Sequence, residues 1–482
     1  MTIGRPACLS AHMESSSPAL PLDALPHPPG RLPILGDVAS VDRHRPTQHE
    51  MGLAQAGLGP IFQRKLLGTQ LVIVTGGRLA AQCNDETSWG RVLLGPLAKI
   101  RPVAPHGMFT ASSKDPLWGQ ARRILTPGFA QASMRTYHDA MASVADDLTA
   151  EWAATGGRGV DVHSAMTRAT LEVIARAGFG RDLRLFTASG EDGDSRRFVR
   201  ELGRTLQWAS ESTNDLPVIG DVRAALRAPG VRREIASLQR YVDELIVERQ
   251  RQNTSAATDL LGLMLTATDP ESGKRLPADN IRDQTLTFLI AGHETTAALL
   301  EVALYYLARN PAFQDRIRSE MPVQATALGY EDIARMRFTR QLLNECLRLW
   351  PPAPGYFRIA RTEQNLGGYR IPAGRAVFVL ALAAQRDPDV WGPDAETFEP
   401  DRFDSTALRA FPDRFFQPWG TGPRSCIGRA FALHEATLLL GRLVDAFDLR
   451  TSAPALTLRE RGTLRPDPYD LIAHDRAAAA RS

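Results

Sequence analysis

The sequence Phe416-Gln-Pro-Trp-Gly-Thr-Gly-Pro-Arg-Ser-Cys426-Ile-Gly428 is rich in glycine and proline, which prevent a regular element before Cys426. The residues from Arg429 to Gly441 are dominated by alanine and leucine, and this composition predicts a helix. Cys426 is therefore expected where a rigid loop enters the N-terminus of a helix. Free N–H groups and the helix dipole favour an anion there, so we expect a lowered pKa for the Cys426 thiol.

Small residues around this cysteine leave room for a flat metal macrocycle against the backbone. They are Gly420, Gly422 and Gly428. Arg424, two residues before the sulfur, is suited to pair with an acidic edge of such a macrocycle. The alternative is a buried structural cysteine in a Gly/Pro loop, which is the more common case for a lone cysteine.

This stretch resembles the haem-binding signature of the cytochromes P450, Phe-x-x-Gly-x-Arg-x-Cys-x-Gly. The matching residues are Gly422, Arg424, Cys426 and Gly428, and Trp419 takes the place of the family's Phe. In that family a cysteine thiolate is the axial haem ligand and favours O–O cleavage. The resemblance therefore implies haem b (iron protoporphyrin IX) as cofactor, Cys426 as metal ligand, and Trp419 and Gly420 beside the macrocycle.

Length and composition narrow the function classes. The 482 residues exceed the usual size of one domain, but no segment beyond the N-terminal tail looks like a linker. The net charge is only +3 with both signs interspersed, which argues against nucleic acid as a partner. The cysteines match no zinc or disulfide spacing and indicate a reducing cytoplasm; they are Cys8, Cys83, Cys346 and Cys426.

The N-terminal segment contains neither an apolar run that could span a bilayer nor the hydrophobic centre of a signal peptide. We therefore expect a disordered tail at 1–27, one cytochrome P450 haem domain at 28–475 and a C-terminal tail at 476–482. A membrane anchor is not expected.

Apolar spacings of three and four residues predict a mainly helical body, with segments near 131–154, 162–178, 195–210, 231–252, 255–265 and 278–310. Residues 60–68 and 69–75 are rich in β-branched and apolar residues and predict a hairpin. The fold class is therefore mainly α (α+β). The resemblance implies the P450 fold, a large helical body around haem with a small β-sheet subdomain.

The centre of the long predicted helix, Phe288-Leu-Ile-Ala-Gly-His-Glu-Thr-Thr-Ala297, carries polar residues in an apolar setting. Thr295 can donate a hydrogen bond back to the carbonyl of Ala291 and so open the helix beside Gly292. The alternative is that these polar residues form a patch on a packed helix without a function. A zinc-protease motif is excluded because Ala297 stands where its second His would be. The stretch matches the family's Ala-Gly-x-(Glu/Asp)-Thr motif, which implies that Thr295 and Glu294 are catalytic and deliver protons to bound oxygen.

Three arginine or tryptophan positions match the family's haem-propionate ligands. Trp118 and Arg122 match a Trp-x-x-x-Arg pair by type and spacing, and Arg358 matches an arginine ten residues after the Glu-x-x-Arg motif. For Trp118 and Arg122 the alternative is a surface arginine stacked on a half-exposed indole.

Glu345 and Arg348 lie three residues apart in an apolar segment. An exposed ion pair there would contribute little, whereas a buried pair needs a third partner. In the P450 family the same pair is closed by a downstream arginine, here Arg402. This resemblance implies that Glu345, Arg348 and Arg402 serve folding and haem retention and do not take part in catalysis.

The nearest group by resemblance is the soluble bacterial fatty-acid hydroxylases fused to a diflavin reductase. No flavin-binding domain follows in this sequence, so we expect NAD(P)H electrons to arrive through a separate ferredoxin or flavodoxin and its reductase. The arginine and tyrosine that hold the substrate carboxylate in those hydroxylases correspond here to Thr69 and Ile73. Arg64 and Lys65 are the nearby candidates to replace them.

Small and aromatic residues matched to the family's distal cavity define the expected substrate pocket, namely Phe109, Ala291, Gly292, Ala353 and Gly355. The sequence thus predicts a bacterial, cytoplasmic monooxygenase that uses O₂ to hydroxylate or epoxidise a small apolar substrate, such as a terpenoid or polyketide intermediate. The alternatives are a fatty-acid hydroxylase, a peroxide-driven peroxygenase on the same fold, and a non-catalytic haem sensor or carrier.

Overall fold

The computed structural model describes residues 18–112, 114–186, 193–214, 219–252, 259–322, 328–408 and 415–479. In these ranges the α-helices are α1 (Pro46–Leu53), α2 (Gly77–Cys83), α3 (Pro96–Ile100), α4 (Pro116–Leu125), α5 (Met134–Ala153), α6 (Val162–Val173), α7 (Gly193–Asn214), α8 (Ile219–Arg251), α9 (Leu260–Thr266), α10 (Ala278–Arg309), α11 (Pro311–Glu320), α12 (Tyr330–Arg335), α13 (Arg337–Leu349), α14 (Ala381–Ala384), α15 (Pro388–Trp391), α16 (Ser405–Leu408), α17 (Arg429–Ala446) and α18 (Arg476–Ala479). The predicted mainly helical class is confirmed. Of the predicted helix at 255–265, residues 255–258 lie outside the described ranges.

The strands in the described ranges are β1 (Ile61–Leu66), β2 (Thr69–Val74), β3 (Trp89–Arg91), β4 (Gly159–Val160), β5 (Tyr356–Ala360), β6 (Gln364–Leu366), β7 (Tyr369–Ile371), β8 (Ala376–Val379), β9 (Phe447–Arg450), β10 (Leu458–Arg461), β11 (Thr463–Pro466) and β12 (Leu471–Asp475). The largest sheet has the order β1-β2-β8-β5-β3. Its β1–β2 pair is the predicted hairpin, with Leu66 opposite Thr69 at the turn. β1 and β3 are the two edge strands of this sheet. Side chains on β1 and side chains on β3 therefore lie at opposite edges of the sheet.

Helix α10 runs through the centre of the helical body. It packs against α6, α8, α13 and α17. Every residue from Thr296 to Leu304 is buried, and all of them except Thr296 and Glu301 are apolar. A helix that is buried on all sides belongs to the core. Because polar side chains are few in such a helix, those on α10 indicate a functional site. The helix ends at Arg309, two residues before Pro311 begins α11.

The described termini differ from the expected tails. Leu20 exchanges backbone hydrogen bonds with the β6–β7 turn, at 2.9 Å to the Gly368 carbonyl and 2.8 Å from the Arg370 N–H, and Leu25 is buried. The tail expected over 1–27 is therefore wrong for residues 18–27, because backbone bonds and an apolar side chain dock them on the sheets. At the other end, α18 begins at Arg476, whose guanidinium donates to the Asp445 carbonyl at 2.8 Å.

In the part of the chain that the structure describes, no helix combines the length and the apolar content needed to cross a bilayer.

A fully buried ion pair on α13 ties the helical body to the segment before the cysteine loop. The Arg348 guanidinium donates to both Glu345 carboxylate oxygens, at 2.6 and 2.7 Å, and neither side chain is exposed. Arg348 also donates to the carbonyls of Gln385, Ala395 and Thr397. The third partner expected for the pair, Arg402, lies 3.8 Å from Glu345 as an ion pair without a hydrogen bond, and the Glu399 N–H supplies the bond instead at 2.8 Å.

Removing Arg348 leaves a buried carboxylate without its principal partner, so Arg348→Met should cost about 3–5 kcal/mol of unfolding free energy. Arg335→Met is the matched control, because Arg335 pairs with Asp332 at the same three-residue spacing but is 74% exposed; it should cost about 0–1 kcal/mol. Urea unfolding midpoints measure both. Equal shifts for the two variants would contradict a buried lock at Glu345.

Candidate active site

The cysteine loop presents the Cys426 sulfur to an internal cavity. The Cys426 N–H donates to the Trp419 carbonyl at 2.7 Å, and α17 begins three residues after the cysteine. The side chain is accessible because it opens into the cavity, although protein encloses the loop. The loop and helix therefore lie as the sequence predicts.

The pKa expected for this thiol is corrected by the structure. Burial raises the pKa of Cys426, and the Gly428 N–H, Arg122 and Arg429 offset that effect only in part. The expected lowering is wrong because desolvation outweighs the helix N-terminus. A metal ion coordinated by the sulfur would favour its thiolate form.

The cavity at the sulfur has a volume of about 160 Å³ and lies between the cysteine loop and α10. Its walls include Phe109, Trp118, Arg122, Ala291, Gly292, Thr295, Thr296, Trp419, Arg424, Cys426, Gly428 and Phe431. A second cavity, of about 490 Å³, adjoins it and shares Arg91 and Arg424 with it. The sulfur and the Thr295 hydroxyl thus belong to one chamber that opens toward a larger one.

Four arginines meet where the two cavities join. They are Arg91, Arg122, Arg358 and Arg424. Among the described residues, the only carboxylate within ion-pair distance of any of them is that of Glu86, 4.0 Å from Arg358. Burial lowers the pKa of Arg91 to about 10, and burial together with repulsion from Arg91 does the same to Arg424.

This cluster fits an anionic group that the protein itself does not supply. The guanidinium groups bond to neutral acceptors: Arg122 to the Ser425 carbonyl at 3.0 Å, Arg424 to the Ser112 carbonyl at 2.9 Å, and Arg358 to the Thr421 hydroxyl at 2.9 Å. The buried Nε of Arg358 has no partner among the described residues. Buried cations without counter-charge are costly, so two carboxylates of a bound macrocycle would stabilise the cluster.

Trp118 and Trp419 differ in how their indole N–H groups are used. The Trp118 N–H donates to the Met108 carbonyl at 3.1 Å, and the Arg424 guanidinium stacks on its ring at 3.8 Å. The Trp118 N–H therefore bonds within the chain rather than pointing to the cavity. The Trp419 N–H is buried and has no partner in the described chain.

Thr295 on α10 makes the hydrogen bond expected from the sequence, and the helix itself runs unbroken through this position. The Thr295 hydroxyl donates to the Ala291 carbonyl at 2.7 Å. Glu294 does not line either cavity. Its pKa is raised to about 7, chiefly by burial; Arg465 opposes this rise and Glu301 adds to it. A carboxyl with that pKa exchanges its proton near neutral pH, which suits it to proton transfer.

The predicted substrate residues divide between the two cavities. Phe109, Ala291 and Gly292 line the smaller one, whereas Ala353 and Gly355 line the larger. Only glycine fits at 355, because an added Cβ would lie 2.4 Å from the Phe378 ring and 2.6 Å from the Val379 carbonyl. Gly355 therefore allows the Phe378 ring to pack closely, and Ala353 and Gly355 line the cavity beside the sheet rather than the one at the sulfur.

Arg91 is the site residue that the sequence reasoning missed. It ends the short strand β3 and pairs in register with Arg358 on β5. A single arginine on a strand has no motif spacing, so its place in the cluster becomes visible only when the sheet forms.

Comparison with known proteins gives one consistent family. A family model described as Cytochrome P450 matches residues 26–473. The chain is 35% identical over 456 residues to the bifunctional cytochrome P450/NADPH–P450 reductase of Bacillus cereus (93% of this chain, 42% of the relative). It is 33% identical over 462 residues to a self-sufficient cytochrome P450 monooxygenase of Phanerodontia chrysosporium (93% and 42%). The chain therefore spans about two fifths of the length of these relatives.

These relatives correct the expected electron source. The names of the Bacillus relatives place a cytochrome P450 and an NADPH–P450 reductase in one polypeptide. The expectation of a separate ferredoxin or flavodoxin with its own reductase is therefore wrong on this comparison. The expectation of a separate partner rested on where the sequence ends. The end of the sequence says nothing about the electron source, because the relatives are more than twice as long as this chain.

Arg91→Leu should weaken retention of the haem that these relatives imply, because it removes one cation from the cluster that faces the propionates. We expect haem transfer to apomyoglobin to become about tenfold faster, the equivalent of one charge-assisted hydrogen bond. Arg101→Leu, at an exposed position on the next segment, is the control and should leave the rate unchanged. Identical rates for both variants would contradict a role for Arg91 in holding haem.

Proposed function

Because the chain belongs to the cytochrome P450 family, we propose that it is a haem-thiolate monooxygenase that inserts one oxygen atom from O₂ into an apolar substrate, by hydroxylation or epoxidation. The observation that carries this proposal is the chamber in which the Cys426 sulfur and the Thr295 hydroxyl meet beside four arginines. A haem sensor or carrier would not need a hydroxyl in this chamber.

The residues present fit haem b as the cofactor. Cys426 would be its iron ligand, and Arg91, Arg122, Arg358 and Arg424 would bind its propionates, with Trp118, Trp419 and Gly420 around the macrocycle. When bound, the haem supplies the oxygen activation, and the thiolate ligand favours O–O cleavage.

The protein contributes a proton path and a dry pocket. The Thr295 oxygen donates its hydrogen to the Ala291 carbonyl and keeps lone pairs for a water in the cavity, so it can accept and pass on a proton. Glu294, with its pKa raised to about 7, can release a proton toward this hydroxyl and recover one from solvent. Phe109 and Phe431 exclude bulk water from the same chamber.

An apolar substrate without a carboxylate is supported by the larger cavity. Its walls carry Leu66, Leu71, Ile73, Phe357 and Phe378, and its volume lies in the range of small-molecule sites. Thr69 is exposed and Ile73 is buried, so neither offers a charge to a carboxylate. A terpenoid or polyketide intermediate satisfies these conditions better than the alternative, a fatty acid.

An NADPH–P450 reductase of the kind named in the relatives is the proposed electron source.

In the described chain Cys83, Cys346 and Cys426 are free thiols, which supports a reducing, cytoplasmic location.

Thr295→Ala tests the proposed proton path, because it removes the hydroxyl and leaves the haem ligand intact. With a surrogate reductase we expect the electrons to be diverted to hydrogen peroxide and product per NADPH to fall about tenfold or more. Product and peroxide yields per NADPH are the measurement.

Thr285→Ala is the matched control, since Thr285 makes the same bond to its own fourth-previous carbonyl on α10 but lines neither cavity. It should leave coupling unchanged. Unaltered coupling in Thr295→Ala would contradict the monooxygenase path, and activity with peroxide but none with a reductase would favour a peroxygenase.

A further inference from the structure

The larger cavity extends across the five-stranded sheet and has two differently charged ends. Arg91 and Arg358 lie at the β3 edge, whereas Arg64 lies on β1 at the other edge. Four strand spacings separate these edges, which is roughly 19 Å. We call the part of the cavity lined by Thr47, Glu50, Arg64, Glu460 and Thr463 the far end.

The cation at the far end is already neutralised. Arg64 is 2% exposed, and its guanidinium contacts the Glu50 carboxylate at 2.7 Å and the Ser40 carbonyl at 3.1 Å. Lys65 pairs with Asp23 at 2.9 Å and does not line the cavity. The two residues that the sequence offers as substitute carboxylate anchors are therefore not available for a ligand.

A second carboxylate makes the far end net negative. Glu460 accepts hydrogen bonds from the Thr47 and Gln48 N–H groups, both at 3.0 Å, and from the Gln48 side chain at 3.1 Å. No ion pair between described residues involves Glu460. The charged side chains at the far end, Glu50, Arg64 and Glu460, thus sum to one negative charge. A ligand carboxylate there would meet a net negative charge.

The far end nevertheless has unused hydrogen-bonding capacity. The hydroxyl oxygens of Thr47 and Thr463 are buried and have no partner among the described residues. A carboxylate has about four acceptor sites, and the three bonds to Glu460 leave one of them open. A ligand hydroxyl can donate to the open acceptor site of Glu460, whereas a carboxylate can only accept.

We infer that the far end of the larger cavity binds a hydroxyl group of an otherwise apolar substrate and discriminates against carboxylates. This inference rests on the proposed function for the identity of the haem end. The substrate class is therefore an apolar alcohol, held by its hydroxyl away from the haem, rather than a fatty acid.

The test is a titration of the haem-loaded protein with 1-dodecanol and with dodecanoate, which share one alkyl chain. Spin-state shifts of the haem spectrum and isothermal calorimetry both report binding. We expect dodecanol to bind at least about tenfold more tightly than dodecanoate, as one unfavourable charge contact implies. Equal binding, or tighter binding of dodecanoate, would overturn the inference.

Glu50→Gln should release Arg64 and largely abolish this preference, raising dodecanoate affinity about tenfold while dodecanol affinity stays within about twofold. Glu396→Gln is the matched control: Glu396 pairs with Arg386, another 2%-exposed arginine, but neither lines the cavity. The control should change neither affinity. A Glu50→Gln variant that gains no dodecanoate affinity would also contradict the inference.

The carbon monoxide spectrum of the same samples separates the two proposals. Thiolate-ligated haem together with a preference for dodecanoate would refute the far-end inference and leave the monooxygenase proposal standing. A protein that binds no haem would refute the proposed function itself.

Discussion

The hydrogen bond from the Cys426 N–H to the Trp419 carbonyl closes the loop on which the rest of the site depends. It fixes the sulfur at the entrance to α17, opposite the part of α10 where Thr295 bonds back to Ala291. Helix α10 is buried in the core and packs against α17, so the packing of the two helices sets the chamber between α10 and the cysteine loop. The buried pair of Glu345 and Arg348 then holds the segment that leads into this loop.

Charge is distributed unevenly over the molecule, and this distribution indicates where an anionic cofactor fits. Several arginines of the described chain are paired with carboxylates, as the buried Arg64 is with Glu50. Where the cavities join, neither Arg91 nor Arg424 forms an ion pair with a described carboxylate, and burial lowers the pKa of both. The protein therefore keeps cations uncompensated where an anionic cofactor fits, and neutralises the cation that could hold an anionic substrate.

The sequence predicts those parts of the site that depend on local spacing. Cys426 and Thr295 are found because a loop before a helix and a back-bonded threonine are short-range patterns. The raised pKa of Cys426 is not predictable in this way, since burial comes from distant segments. Arg91 joins the cluster only through strand pairing with Arg358, and the neutralisation of Arg64 depends on a partner from α1.

The central claim is that Cys426 is the thiolate ligand of a haem iron. The most direct measurement is the absorption spectrum of the reduced protein under carbon monoxide, for the unmodified chain, Cys426→Ser and Cys83→Ser. The account predicts a strongly red-shifted Soret band for the unmodified chain and for Cys83→Ser, and its loss in Cys426→Ser. A protein that binds no haem, or a band that survives in Cys426→Ser, would contradict it.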